Sequence, residues 1–246
     1  METKDRFYSQ LHRDQQYGRS SFDVPRLVSI PEIRKWCNDR RGSAIQVADI
    51  GCGKGRFILD LVAILESKHQ IQVSAVSGLD LVRTEQNVFD EIRVPFQFVQ
   101  QNIDGENLPF QDQSFDFVSC NHVLEHIFET EKLMREFRRI IRPQGLCVVS
   151  VPNIAAWMNR IAFLFSGQPL GSEVGTERVD YGFWPGFMKK KLARFTPSGH
   201  IRDFTPRSLA DLATYCGFRP VGWWAQNGGL VPTFGRNLGI VLKPAP

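Results

Sequence analysis

Val47-Ala48-Asp49-Ile50-Gly51-Cys52-Gly53-Lys54-Gly55-Arg56 runs from an apolar stretch through three glycines into a helical pattern, and its reading decides the fold. Ile45, Val47, Ala48 and Ile50 suit a strand covered on both faces, as parallel strands usually are. The glycines let the backbone turn sharply and approach a ligand without interference from a Cβ. Phe57, Ile58, Leu61, Val62 and Leu65 then recur at helical spacing. A strand, a glycine turn and a helix in that order form the first β-α unit of a doubly wound α/β sheet, with a ligand site at the turn.

The ligand of such a turn is often a dinucleotide, whose fingerprint needs glycine at the first, third and sixth of six positions. Arg56 occupies the sixth, so the fingerprint fails. Asp49 beside the turn repels a pyrophosphate and favours an ammonium or a sulfonium, and S-adenosylmethionine carries both. The string Asp49-Ile50-Gly51-Cys52-Gly53-Lys54-Gly55 resembles the first motif of class I S-adenosylmethionine-dependent methyltransferases. That resemblance implies S-adenosylmethionine as cofactor, held by Asp49, Gly51, Cys52, Gly53 and Gly55. The rival is a nicotinamide-dependent reductase, and the bland alternative is a glycine turn of another nucleotide fold.

Farther along, Ile71 to Leu79 reads as a second strand that delivers Asp80, an acid able to accept from two ribose hydroxyls. In the resembled family this position serves the adenosyl ribose, and Leu81 lies against the adenine. A third strand, Phe96 to Gln101, leads to Asn102 and Ile103. Family members often carry Asp at the position of Asn102; Asn still accepts from the adenine amino group through its carbonyl oxygen, without the charge-assisted bond.

A fourth strand, Phe115 to Cys120, precedes Asn121-His122-Val123-Leu124-Glu125-His126. Ubiquinone-pathway and RNA 2′-O-methyltransferases resembling this chain hold a divalent metal there with a Glu-x-x-Glu-His pattern. Asn121 is taken to replace its first Glu, so Asn121 is grouped with the cofactor contacts and no metal ligand is assigned. Glu129 to Ile141 has the period of an amphipathic helix, ended by Arg142-Pro143-Gln144-Gly145, with a fifth strand over Leu146 to Val151. Thr205-Pro206 caps a last helix that ends at Gly217, and Arg219 to Ala225 with Leu238 to Lys243 read as closing strands. The resemblance implies a mostly parallel, seven-stranded Rossmann-like sheet with an antiparallel last strand and a helical lid insertion.

Residues 1–44 are expected to form an N-terminal helical arm and residues 45–246 the catalytic domain, with a lid and substrate insertion at 153–200. The arm either closes over the site or packs as an ordinary N-terminus; from Pro31 it holds a helix with Ile33 and Trp36. Asn153 is expected to cap a helix through Phe165 that is apolar nearly all round. Three readings of that helix stand open: a lid buried against the core, an interfacial helix touching membrane or a lipid-linked substrate, and a dimer contact. Behind it, Val179–Arg207 holds six basic against two acidic residues, equal to the whole formal net charge of +4, which favours an anionic partner over a solvated face only by its clustering.

No apolar run reaches the roughly 18 residues of a membrane span, and the N-terminus lacks an apolar leader core. The five cysteines are odd in number and unpaired in spacing, so a reducing, cytoplasmic setting is expected. These readings point to methyl transfer to a small-molecule, glycan- or lipid-linked hydroxyl, with His126 or His200 as base candidates. The basic residues form one local patch without a nucleic-acid module, so no nucleic acid is expected as partner. An RNA or protein methyltransferase and a non-catalytic cofactor-binding protein are the alternatives.

Overall fold

The computed structural model describes residues 23–84, 87–183, 185–186, 197–226 and 232–246. Strands β1 (Ala44–Ile50), β2 (Gln72–Asp80), β3 (Phe96–Gln100), β4 (Phe115–Asn121), β5 (Ile141–Pro152), β6 (Phe218–Gln226) and β7 (Asn237–Pro244) form one sheet. Its order is β3-β2-β1-β4-β5-β7-β6. β1 to β5 pair in parallel, whereas β7 runs antiparallel to both of its neighbours, so the last strand has the expected direction.

Helices cover both faces, which is why β1 and β4 are almost continuously apolar. On one face lie α1 (Val24–Val28), α2 (Pro31–Asp39) and α3 (Arg56–His69), burying Leu27, Ile33, Trp36, Ile58 and Leu61. On the other, α4 (Thr130–Ile140) contributes Leu133, Met134 and Phe137, and α6 (Pro206–Tyr215) contributes Leu209 and Ala213. At about 25 cal/mol per Å² each such apolar side chain contributes roughly 1.5–3 kcal/mol. Chain order reverses at β1, whose neighbours are β2 and β4, so a crevice opens beyond their carboxyl ends.

Two boundaries correct the sequence reading. β5 begins at Ile141, directly after α4, so Arg142 to Gly145 belong to the strand rather than to a turn. Tertiary partners hold that irregular start: Arg142 pairs with Asp116, and the Gln144 carbonyl accepts from Trp36 Nε1 (3.1 Å) and Arg40 (2.6 Å). Helix α5 spans Trp157–Leu164 and its cap is Ala156, with no side-chain bond. Asn153 does not cap it. Its Nδ2 donates to the carbonyls of Thr233 and Gly235, both at 2.8 Å, tying the end of β5 to the segment before β7.

The apolar surface of α5 points outward: Trp157, Phe163, Leu164 and Phe165 are 52%, 56%, 81% and 57% exposed, and only Asn159 and Ala162 of the helix are buried. Of the three readings of this helix, burial against the core does not fit this exposure. Half of the arm, residues 1–22, and the cationic residues Lys189, Lys190, Lys191 and Arg194 lie outside the described residues. All five cysteines are buried with free thiols, and no described helix is long and apolar enough to cross a membrane.

Candidate active site beyond β1 and β4

The turn after β1 is built as its glycines require. Gly51 has φ +77°, and a Cβ there would lie 2.1 Å from Val123 Cγ2, so only glycine fits beneath the loop that follows β4. Gly53 has φ +51° and opens onto space, where a ligand can meet bare backbone. Gly51 N and Cys52 N both donate to the Leu79 carbonyl, at 2.7 and 3.0 Å, which ties the turn to the end of β2. The Cys52 thiol lies in the core near Gly78, and burial raises its pKa strongly, so this residue can offer a ligand only backbone.

Asp80 ends β2 as expected. Gly53 N donates to its Oδ2 and Leu81 N to its Oδ1, each at 2.7 Å. A carboxylate has about four acceptor sites, so capacity for ribose hydroxyls remains while the turn holds the group in place. Asp49 is 2% exposed and accepts from Ser119 Oγ at 2.6 Å. Burial, opposed by that bond and reinforced by the charge of Asp80, pushes its carboxyl up to about 7. Asn102 is exposed and its Oδ1 accepts from Asp104 N at 3.0 Å, closing a local turn, while Ile103 is buried in the core.

The loop after β4 forms the facing wall. Asn121 Oδ1 accepts from Ser150 Oγ at 3.3 Å, whereas its buried Nδ2 has no hydrogen-bond partner in the described structure. Three residues before Glu125 stands His122, so the first position of the Glu-x-x-Glu-His pattern is His122, not Asn121. His122 takes the left-handed region, φ +55°, a conformation costing of order 1–3 kcal/mol in a non-glycine residue, and its Nδ1 lies 3.3 Å from Glu125 Oε1. Glu125 is 1% exposed, and its Oε2 has no hydrogen-bond partner. Burial pushes its carboxyl up, but the His122 bond and the nearby imidazoles of His126 and His200 outweigh it and hold the group below the usual range.

The insertion returns to this loop. Ile201 N and Arg202 N both donate to the Glu125 carbonyl, at 2.9 and 3.1 Å. His126 Nδ1 faces the Gly199 carbonyl at 3.1 Å, and His200 Nδ1 faces that of Gly171 at 2.7 Å. A carbonyl only accepts, so both rings carry their proton on Nδ1 when neutral and present the lone pair at Nε2. Burial lowers the pKa of His126, favouring that neutral form. Glu173, which the sequence reading overlooked, accepts from the backbone N–H groups of Ser198 (2.5 Å), Gly199 (2.8 Å) and His200 (3.3 Å). No local pattern marks Glu173; only the fold brings it 25 residues along the chain to these donors.

The fold thus joins the two base candidates, with ring centroids 5.0 Å apart. A ligating atom of each ring and a carboxylate oxygen of Glu125 all lie within 4.8 Å of one another, a donor set fit for a cation although the sequence assigned none.

Residues 48–149 match the methyltransferase domain family, and the fold and glycine turn agree with that match. Those residues are a class I S-adenosylmethionine-dependent methyltransferase domain, and S-adenosylmethionine is the cofactor of that class. Among relatives, a ubiquinone/menaquinone biosynthesis C-methyltransferase of Campylobacter jejuni is 28% identical over 108 residues, 43% of each chain. A ubiquinone biosynthesis O-methyltransferase of Rickettsia akari is 27% identical over 116 residues, 47% of this chain and 43% of the other. The chain thus aligns with under half the length of these relatives. Among solved structures, the 1,6-didemethyltoxoflavin-N1-methyltransferase of Burkholderia thailandensis, bound to S-adenosylhomocysteine, superposes with a TM-score of 0.60. It is 16% identical, and the match covers 99% of this chain and 88% of that one, a likeness of fold.

Proposed function

We propose that the protein is an enzyme that transfers the methyl group of S-adenosylmethionine to a hydroxyl of a small-molecule, glycan- or lipid-linked acceptor. The observation that carries this reading is the convergence of His126 and His200 on the buried Glu125, in the loop whose Val123 packs against Gly51 of the cofactor turn. In the proposed reaction the acceptor oxygen attacks the methyl carbon in line. The carbon–sulfur bond breaks, its electron pair neutralises the sulfonium, and the hydroxyl proton passes to an imidazole Nε2. Holding nucleophile and methyl in line contributes on the order of 7–11 kcal/mol, and a positioned base adds about 10² to 10⁴ in rate. Positioning therefore carries most of the acceleration, and the pinned 198–202 segment serves it.

The exposed apolar face of α5 supports an acceptor with a lipid portion and peripheral membrane contact. Both curated relatives are named for quinone biosynthesis, one acting on carbon and one on oxygen. The presence of a base supports oxygen here. Labelled S-adenosylmethionine offered with fractionated small-molecule, lipid-linked and RNA pools tests the class, and transfer to RNA alone would overturn the choice of acceptor. His126→Ala and His200→Ala are expected to lower kcat by at least about 10² with affinity for S-adenosylhomocysteine little changed. Wild-type turnover in both variants across pH 6 to 9 would exclude the imidazole base.

A further inference from the structure

We infer that the outward side of α5 docks on the surface of a phospholipid bilayer bearing anionic headgroups, with the crevice side of the sheet toward the leaflet, so that a lipid-linked acceptor reaches the site without leaving the membrane. The inference rests on the acceptor reading above and names its partner. α5 is built inside out. Its buried residues are Asn159 and Ala162, whereas Trp157, Phe163 and Leu164 face outward, the reverse of a helix shaped to cover an apolar core in water. Polar bonds fix that orientation: Asn159 Oδ1 accepts from Leu170 N at 2.8 Å, and its Nδ2 donates to the Leu170 carbonyl at 2.9 Å. Rolling the apolar side inward would break both bonds of a buried amide, so the outward face is a built feature.

The distribution of exposed apolar residues gives the orientation. Among the described residues, every large apolar side chain that stands exposed, except Tyr215, belongs to a segment beyond the carboxyl ends of the strands. Phe128 and Ile201 lie within two residues of His126 and His200, so the apolar rim extends to the acceptor site. Tyr215 ends α6 on the opposite side, where β6 begins. The Arg160 guanidinium stands 4.6 Å from the Phe234 ring centroid and that of Arg178 5.8 Å from the Tyr181 centroid, which suits a headgroup layer where rings meet the acyl boundary and cations meet phosphate. Two quantities select a bilayer over a second copy of the chain. Trp157, Ile161, Phe163, Leu164 and Phe165 together expose on the order of 500 Å², short of the roughly 800 Å² per partner of a standard protein interface. The sequence from Val179 to Arg207 carries six basic against two acidic residues, which an anionic surface complements and a second copy repels. The eight residues of α5 extend about 12 Å, so the helix lies in the interface without spanning it.

The test sediments the full chain with vesicles of phosphatidylcholine alone or with about 30% phosphatidylglycerol. We expect partition onto the anionic vesicles to be at least about 10-fold tighter and to weaken with added salt. The double variant Trp157→Ser, Leu164→Ser should lower that partition at least about 10-fold, whereas Tyr215→Ser, whose ring faces away from the bilayer, should leave it unchanged. These side chains are exposed, so the variants should fold, and calorimetry with S-adenosylhomocysteine on each checks that they do. Equal partition onto both vesicle types, undiminished partition of the double variant, or a loss in Tyr215→Ser as large as in the double variant overturns the proposal. So does a wild-type dimer in solution that Leu164→Ser splits, which would assign the face to a second copy. Failure to bind vesicles with affinity for S-adenosylhomocysteine intact removes the docking alone, whereas failure of the wild type to bind S-adenosylhomocysteine removes the methyltransferase reading instead.

Discussion

If Asp49 holds the cofactor ammonium, as the sequence reading expects, its raised pKa makes affinity for the cofactor depend on pH in a calculable way. With its carboxyl pushed up to about 7, Asp49 is about half ionised at neutrality. If the cofactor ammonium binds only the ionised form, affinity falls about 80-fold between pH 7.5 and pH 5, or about 2.6 kcal/mol. Calorimetry with S-adenosylhomocysteine at several pH values, in two buffers of different ionisation enthalpy, should also count close to one proton released per binding event near pH 6. Asp49→Asn should bind at pH 7.5 about as the wild type does at pH 5, with a flat profile. The same shift has the opposite sign for folding. The native pKa of about 7 exceeds the ordinary 3.8, so the native state holds an extra proton between those values and stability falls as pH rises through that window. The loss attributable to Asp49 approaches about 4 kcal/mol by pH 8, so Asp49→Asn should raise the denaturant midpoint there while weakening cofactor binding. A change in wild-type affinity below about threefold from pH 5 to 7.5, or an unchanged profile in Asp49→Asn, would refute the reasoning.

Other perturbations separate the parts of the site. Gly51→Ala forces a Cβ to 2.1 Å from Val123 at positive φ; a loss of about 1–3 kcal/mol and of cofactor affinity is expected, read by thermal melting and calorimetry. Glu173→Gln weakens three backbone bonds at 198–200 by removing their charge; turnover should drop with cofactor affinity unchanged, and a normal kcat would show that this tether is dispensable. Leu164→Ser, at a position 81% exposed, should change stability by no more than about 0.5 kcal/mol. It should also reduce partition onto lipid vesicles, and equal partition would count against the interfacial role of α5.

The elements that repeat over a few residues were legible in advance. The α3 and α4 periodicities, the Thr205 cap, which closes a box with Ser208, and the glycine turn follow from spacing and local backbone sterics. The start of α5 was not legible, because Asn153 can cap a helix locally and the fold instead engages it with Thr233 and Gly235, 80 and 82 residues away. Nor was the irregular start of β5, where Pro143 and Gly145 look like a turn and the bonds to Trp36, Arg40 and Asp116 draw the segment into the strand.

The candidate site divides in the same way. Asp49, Gly51, Gly53 and Asp80 lie at the ends of neighbouring strands, so strand order alone brings them together, and sequence by itself determined the α/β class and the glycine turn after β1. Only the tertiary structure decided that His126 meets His200 beside Glu125, that Glu173 clamps the returning segment, and that α5 turns its apolar side outward. Local rules act through backbone geometry within a few residues. The partners of a buried carboxylate or a loop imidazole are instead chosen by whichever distant donors the packed sheet and its insertion deliver to it.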